Sequence, residues 1–432
     1  MEVQARTNVR RVIQVFEHQR LQVGARVGGA LFMPSDFDAI CRFAEKHGEK
    51  YFEVQHQSIR FKHYVGVIQV GALTIEILPK ADRAQGGDQT KWQQALLGML
   101  KVCRFLKPEK MAGATLGLQR HMLFDLYIEL FIEEAEHLVR EGLLRQYQRG
   151  TSAQNVLKGR WLFRDQLRGY PANQERFYCE HDKYTFDHPL NQVVGRALAV
   201  IKQFVLPARL QVRLYNVLSY FPTSVSSTIP TKREWDAVRY NRKTERYRMA
   251  VDYAYLILLN YSPDIRHGRH PLVALVFDMN LLFEEYVYRC LTRLQKEGLE
   301  VRRQMRVPFW HRSYLQPDIV LNYGQARIVL DTKWKALKSF QPSIEDLRQM
   351  YVYSQYFQAG KTVLLYPQID ESTQGFPATP FLLNKGEHKA VTCQLCMVPV
   401  LKNGRLNHLL GKELLERIGI TAAGKNEQSP SA

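Results

Sequence analysis

The chain has no apolar run of 18 residues and no N-terminal stretch of positive charge followed by apolar residues. The first absence argues against a membrane-spanning helix and the second against a secretory leader, so a cytoplasmic location is expected. Cysteine is sparse, with six scattered among 432 residues. That scatter suits reduced thiols rather than a disulfide framework. Cys393-Gln394-Leu395-Cys396 has the spacing of a zinc-ligand pair, but no second pair accompanies it and the surrounding run 390–401 reads as a strand. No zinc or iron–sulfur centre is therefore expected. No G-x-x-x-x-G-K-[ST] loop occurs, so an NTP-driven motor working with this chain is expected on another polypeptide. There is no internal repeat. Negative charge is also in deficit: 42 acidic residues face 60 basic ones, a formal net charge of +18 and a pI near 9.6. Such a surplus favours a polyanionic partner.

What is present is a globular composition, 45% hydrophobic and 11% aromatic, on a chain long enough for two or three domains. The expected fold class is multidomain α+β or α/β, in four stretches. Residues 1–110 are strand-rich, with β runs at Arg11–Phe16, 51–52, 59–61 and 64–79, a helix over 35–47 with Ser35 as its N-cap, and a polar turn over 81–90. Residues 111–270 read as mostly helical, with amphipathic helices over 123–147 and 192–206. Between them lie Lys158, Arg160, Arg164 and Arg168, which suit phosphate contact or a solvated face equally. Arg239, Arg242, Lys243 and Arg246 fall at helical spacing with Tyr240 and Tyr247 interleaved, a pattern that suits either a DNA backbone track or a solvated face. Residues 271–405 read as helix, hairpin, helix and further strands, giving a mixed sheet flanked by helices. Residues 406–432 form a tail whose end, 422–432, is small and polar and expected to fray.

The chemistry concentrates in the third stretch. Pro317-Asp318 opens one strand-like run, and Asp331-Thr332-Lys333 closes the next, with a turn over 322–326 containing Gly324. The two strands are expected to be antiparallel neighbours, with Asp318 and Asp331 converging at one end. Lys333 lies two residues after Asp331 and so shares its face of the strand, whereas Thr332 points to the other face and offers its backbone carbonyl as a candidate metal ligand. Carboxylates of this kind hold Mg²⁺ through hard oxygens. The ion polarises a phosphoryl oxygen and activates water, while a lysine beside it stabilises the developing charge. Upstream, residues 279–294 show a helical apolar face with Glu284 and Glu285 inside it, and Glu284 is expected to point inward. Buried acids are costly unless paired or metal-bound. Downstream, Gln349 and Tyr353 are four apart on the expected helix 345–359, placed to hold substrate phosphate or to position the lysine.

This layout is that of a PD-(D/E)xK nuclease core. The order Phe277-Asp278-Met279-Asn280-Leu281-Leu282-Phe283-Glu284, Pro317-Asp318, Asp331-Thr332-Lys333-Trp334-Lys335, then Asp346 to Tyr353, resembles the McrC family. So do Tyr64-Val65-Gly66-Val67-Ile68-Gln69-Val70-Gly71, Ile75-Glu76-Ile77-Leu78-Pro79-Lys80, Lys158-Gly159-Arg160 and Thr185-Phe186-Asp187-His188-Pro189-Leu190-Asn191. The likeness runs from about residue 10 to about residue 400. It implies a Mg²⁺-dependent (or Mn²⁺-dependent) DNA endonuclease subunit of a McrBC-type restriction system. Asp318 and Asp331 would be metal ligands, Glu284 or Glu285 the helix acid, and Lys333 the catalytic lysine. It implies a separate McrB-like AAA+ GTPase ring, engaged through the N-terminal part, and methylated double-stranded DNA as substrate. Two other expectations stay open: a non-catalytic factor that activates a GTPase ring and clamps DNA, and a free-standing RecB-like repair nuclease.

Overall fold

The computed structural model describes residues 10–79, 89–103, 123–169, 176–221, 239–262, 271–295, 298–335, 341–368, 375–381 and 391–420. Most of the turn expected over 81–90, the end of the tail and the side chain of Arg168 lie outside these residues.

Two mixed sheets organise a mixed α+β architecture. The first has five strands in the order Arg11–Phe16, Leu73–Leu78, Tyr64–Val70, Leu272–Asp278, Tyr261–Ser262. Arg11–Phe16 runs parallel to Leu73–Leu78, and the remaining pairs are antiparallel. Both faces are covered, so Tyr64–Val70 and Leu73–Leu78 are buried along almost their whole length. Ile68, Val70, Ile75 and Ile77 face a core with Ile40 and Phe43 of helix Pro34–His47. Val65 and Val67 face the opposite, larger core with helices Gln89–Val102 and Leu123–Arg140. Gly66 sits where Tyr64–Val70 meets Leu272–Asp278: a Cβ there would lie 2.3 Å from the Leu275 carbonyl oxygen.

The strand Leu272–Asp278 corrects the sequence reading, which places residues from 271 in the third stretch; it is instead a member of the N-terminal sheet. Two apolar runs with no polar face need one another's hydrogen bonds more than they need sequence proximity. The middle stretch is less helical than expected. The helix from Leu123 ends at Arg140, and Gln146–Gln154, Arg160–Trp161 and Phe177–Thr185 form a three-stranded antiparallel sheet. The second helix spans Pro189–Ile201. Helix Pro34–His47 starts one residue earlier than read: Met33 is the N-cap, and Asp36, not Ser35, accepts the Met33 amide at 3.0 Å.

The second sheet has six strands in the order Leu299–Arg303, Ile319–Tyr323, Ala326–Thr332, Lys361–Pro367, Thr392–Val398, Gly375–Pro380. The hairpin is as the sequence implies: Tyr323 pairs with Ala326 across a two-residue turn with Gly324 at φ 58°. Ala326–Thr332 and Lys361–Pro367 are parallel, joined through helix Ile344–Tyr356, a βαβ crossover. Side chains alternate strictly. Ile319, Leu321, Ile328 and Leu330 enter the large core beside helix Met279–Thr292. Val320, Val329 and Leu364 enter a separate core with Met350, Tyr353 and Phe357 of helix Ile344–Tyr356. Among the described residues no helix is long and apolar enough to cross a membrane.

Candidate active site

Strand alternation carries Asp331 and Lys333 onto the face covered by helix Ile344–Tyr356, beyond Val329. There the Lys333 ammonium lies 2.7 Å from Asp331 Oδ2 and 3.6 Å from Asp346 Oδ1. It donates to Gln349 Oε1 at 3.3 Å. Gln349 in turn donates to the Tyr353 hydroxyl at 3.0 Å, which donates to the Gln316 carbonyl at 3.2 Å. The predicted i, i+4 pair therefore spans from the lysine to the segment just before Pro317-Asp318.

Asp318 stands at the start of its strand, and its Oδ2 accepts both the Thr332 amide and the Thr332 hydroxyl, each at 2.7 Å. The expectation that the Thr332 side chain turns away is thus overturned: at the strand end its hydroxyl reaches across the hairpin to Asp318. These bonds clamp the two acidic strand ends together.

The electrostatics follow from burial. Asp331, 3% exposed, has its pKa pushed up to about 6 by desolvation and then by the Asp318 charge, against the pull of Lys333. Asp318 is raised too, mainly by burial, with the Thr332 bonds opposing. Burial works against the charge of Lys333, but Asp331, Asp346 and Asp318 outweigh it and hold its pKa above the usual lysine value. Desolvation lifts Asp346, yet Lys335, Ser343 and Lys333 pull it below the ordinary aspartate value. Burial and the nearby acids push the Tyr353 hydroxyl up to about 12.

Glu284 and Glu285 are both buried on helix Met279–Thr292. Burial and then the Asp318 charge raise the pKa of Glu284, which places its carboxylate in the field of the site. Its Oε1 accepts Arg303 Nε at 3.2 Å and Gln304 Nε2 at 2.9 Å. Glu285 has one oxygen on Arg289, at 2.6 Å, and the other on Arg303.

Sequence reasoning missed four residues here: Asp346, Lys335, Arg303 and Gln304. Asp346 ion-pairs with Lys335 at 2.7 Å while also facing Lys333. Its signal was Ser343-x-x-Asp346, a helix-start pattern that places an acid in the first turn; Ser343 Oγ accepts the Asp346 amide at 3.1 Å. Arg303 and Gln304 carried no such signal, because they meet Glu284 only through strand pairing. The basic stripe at 239–246 is corrected: those residues form a turn and one 3₁₀ turn, Glu245–Tyr247, before helix Arg248–Leu259. Arg239, Arg242 and Lys243 are exposed, while Arg246 pairs with Glu141 at 3.3 Å and donates to the Gly142 carbonyl at 2.5 Å. The charged stretch has no apolar stripe to anchor a helix against the core.

Asp318, half-buried, and Asp331, buried, are two carboxylates at one sheet end, hard-oxygen donors of the kind a divalent cation takes, and the Asp318 charge adds to burial in raising both Asp331 and Glu284. Among the described residues no group of three or more His, Cys, Asp or Glu side chains is placed to hold a metal ion. All six cysteines are free thiols, and Cys393 and Cys396 lie on the sheet strand Thr392–Val398.

A family model described as McrBC 5-methylcytosine restriction system component matches residues 59–367. No curated protein matches. Among solved structures, a chain from the refined half-complex of the tetradecameric assembly of Thermococcus gammatolerans McrB AAA+ hexamers with bound McrC is similar to this one. It aligns with a TM-score of 0.65 and 22% identity, covering 94% of this chain and 100% of that one. A chain from the cryo-EM structure of the Thermococcus gammatolerans McrBC complex aligns with a TM-score of 0.47 and 21% identity, over 66% of this chain and 88% of that one.

Proposed function

The chain belongs to the McrBC 5-methylcytosine restriction system component family, and on that membership and the site geometry we propose that it is the DNA-cleaving subunit of a McrBC-like restriction system. The six-stranded sheet with its βαβ crossover is then a PD-(D/E)xK nuclease fold. The observation that carries this is the convergence of Asp318, Asp331 and Lys333 at one sheet end, with Asp331 and Lys333 2.7 Å apart.

Asp318 and Asp331 would hold Mg²⁺ or Mn²⁺, with Glu284 completing the site directly or through water and the Thr332 carbonyl as a further candidate ligand. The ion, when bound, supplies Lewis acidity and an activated water. Lys333 is kept protonated by the acids around it and stabilises negative charge on the phosphoryl oxygens. Gln349 and Tyr353 hold the lysine in place through their hydrogen-bond chain. The partner is a separate McrB-like AAA+ ring hydrolysing GTP. Support comes from the structural neighbour, which belongs to an assembly of McrB AAA+ hexamers with bound McrC. The substrate is double-stranded DNA carrying methylated cytosine, and the cell compartment is the cytoplasm.

The test is co-expression with the AAA+ partner and an assay of methylated against unmodified plasmid with GTP and Mg²⁺. Asp331→Ala and Lys333→Ala are each expected to lower cleavage by at least about 10²-fold while leaving partner binding intact. Cleavage retained in both refutes the site. Partner GTP turnover stimulated equally by wild type and Asp318→Ala would separate the nuclease role from ring activation.

A further inference from the structure

Val307–Trp310 and Ser313–Leu315 form a two-stranded hairpin outside the six-stranded sheet. Its base is anchored: Met305, Val307 and Leu315 pack on the core beneath helix Ile344–Tyr356. Its tip is not. Trp310 is 74% exposed, Tyr314 55% and Phe309 47%. Phe309 is the extra residue of a bulge between the Pro308–Tyr314 and Trp310–Ser313 pairs, a device that bends a strand and re-aims its side chains. Tyr356 packs edge-on against Phe309 at 5.4 Å and Arg306 sits over Tyr314 at 5.5 Å, so the aromatics are held outward rather than loose. The stretch 304–316 carries Arg306 and Arg312 and no acidic residue. An exposed aromatic set interleaved with arginine fits a polyanion that offers π-faces as well as phosphates.

Its position gives it a purpose. The hairpin leads directly into Gln316, whose side chain accepts from Arg306 at 2.9 Å and whose carbonyl accepts from Tyr353. Two residues later comes Asp318. Five residues from Ser313 to Asp318 span at most about 17 Å of chain. At 3.4 Å per base pair that is about five base pairs of duplex. A two-stranded ribbon also fits the width of the B-DNA major groove.

We propose that the hairpin Val307–Leu315 is a DNA-engaging arm that enters a groove of the duplex within about five base pairs of the scissile phosphate. Phe309, Trp310 and Tyr314 press on sugar and base surfaces, and Arg312 at the turn meets a phosphate. This rests on the nuclease reading for its placement beside a cut, but duplex binding is measurable without cleavage.

The test uses the full chain in EDTA with a fluorescein-labelled duplex of about 20 base pairs, read by anisotropy at several salt concentrations. Trp310→Ala and Phe309→Ala are expected to weaken binding about 5- to 10-fold with an unchanged salt slope. Arg312→Ala is expected to reduce the slope by about one. Urea midpoints within error of wild type would show that the variants fold. Wild-type affinity in the folded variants overturns the proposal, as does absence of duplex binding by wild type at about 50 mM salt. Hairpin variants that abolish a dimer in sedimentation without changing DNA affinity also overturn it, making the hairpin a self-association surface. Asp331→Asn, assayed for cleavage alone with the AAA+ partner, GTP and Mg²⁺, separates the two claims: persistent cleavage by it would sink the nuclease reading while leaving the hairpin result standing.

Discussion

Trp334 Nε1 donates a 2.6 Å hydrogen bond to Glu17 Oε1, joining residues 317 positions apart. Trp334 directly follows Lys333, and its ring packs on Phe283 of the Glu284 helix and on Trp92 of the helix Gln89–Val102. Glu17 follows the first strand of the N-terminal sheet. The bond therefore ties the candidate active-site strand to the sheet that the resemblance assigns to partner docking. Trp334→Phe keeps most of the ring and removes the donor from a buried carboxylate. It is expected to cost about 1–3 kcal/mol in urea unfolding and to lower cleavage without changing Gln349 or Asp331. A change below about 0.5 kcal/mol would mean that the link is incidental.

What was legible in the sequence was local. The hairpin turn at Gly324, the shared face of Asp331 and Lys333, and the Gln349–Tyr353 pair each follow from a period of two or 3.6 applied over a few residues. What depended on distant pairing was not. Arg303 reaches Glu284 because Leu299–Arg303 lies against Ile319–Tyr323, and nothing in either strand names the other. The basic residues near 240 had helical spacing but no apolar stripe, and charge spacing alone does not make a helix.

The raised pKa of Asp331 has a consequence for stability. Its ordinary value is 3.8 and its folded value about 6. Between these the unfolded chain has lost the proton and the folded chain still holds it. Stability of the metal-free protein therefore falls as pH rises through this window, and the full penalty, on the order of 3 kcal/mol, stands above about pH 6. Asp331→Asn removes the ionisation. Urea midpoints in EDTA should place the variant above wild type at about pH 7 and close to it at about pH 4. Parallel curves would contradict the assignment.

Arg303 serves two buried acids at once, Glu284 and Glu285. Arg303→Ala is expected to destabilise by about 3 kcal/mol, because it leaves the buried Glu284 with only the neutral Gln304 and takes the guanidinium from one oxygen of Glu285. Adding Glu285→Gln should recover part of that loss, giving a coupling energy of about 1 kcal/mol or more in a double-mutant cycle. Strict additivity would show that Arg303 acts through something else.

The continuity of the core makes the last prediction. Leu330, Trp334 and Phe283 of the candidate nuclease region lie in the same core as Val65 of the N-terminal sheet and as Phe131, Leu198 and Tyr247 of the middle helices. The strand Leu272–Asp278, which runs straight into the Glu284 helix, is hydrogen-bonded along its length to Tyr64–Val70. A fragment comprising residues 279–420 would keep the candidate active-site residues from Glu284 to Tyr353 but would expose one face of helix Met279–Thr292 and of the Trp334 ring. At roughly 25 cal/mol per Å² of apolar surface, uncovering several such side chains costs more than a domain of that size holds in reserve. The fragment is expected to lack a cooperative thermal transition and the full chain to show one. A fragment with a sharp transition and intact DNA cleavage would mean that the shared core is an interface between self-sufficient domains, and that the site needs nothing from the N-terminal sheet.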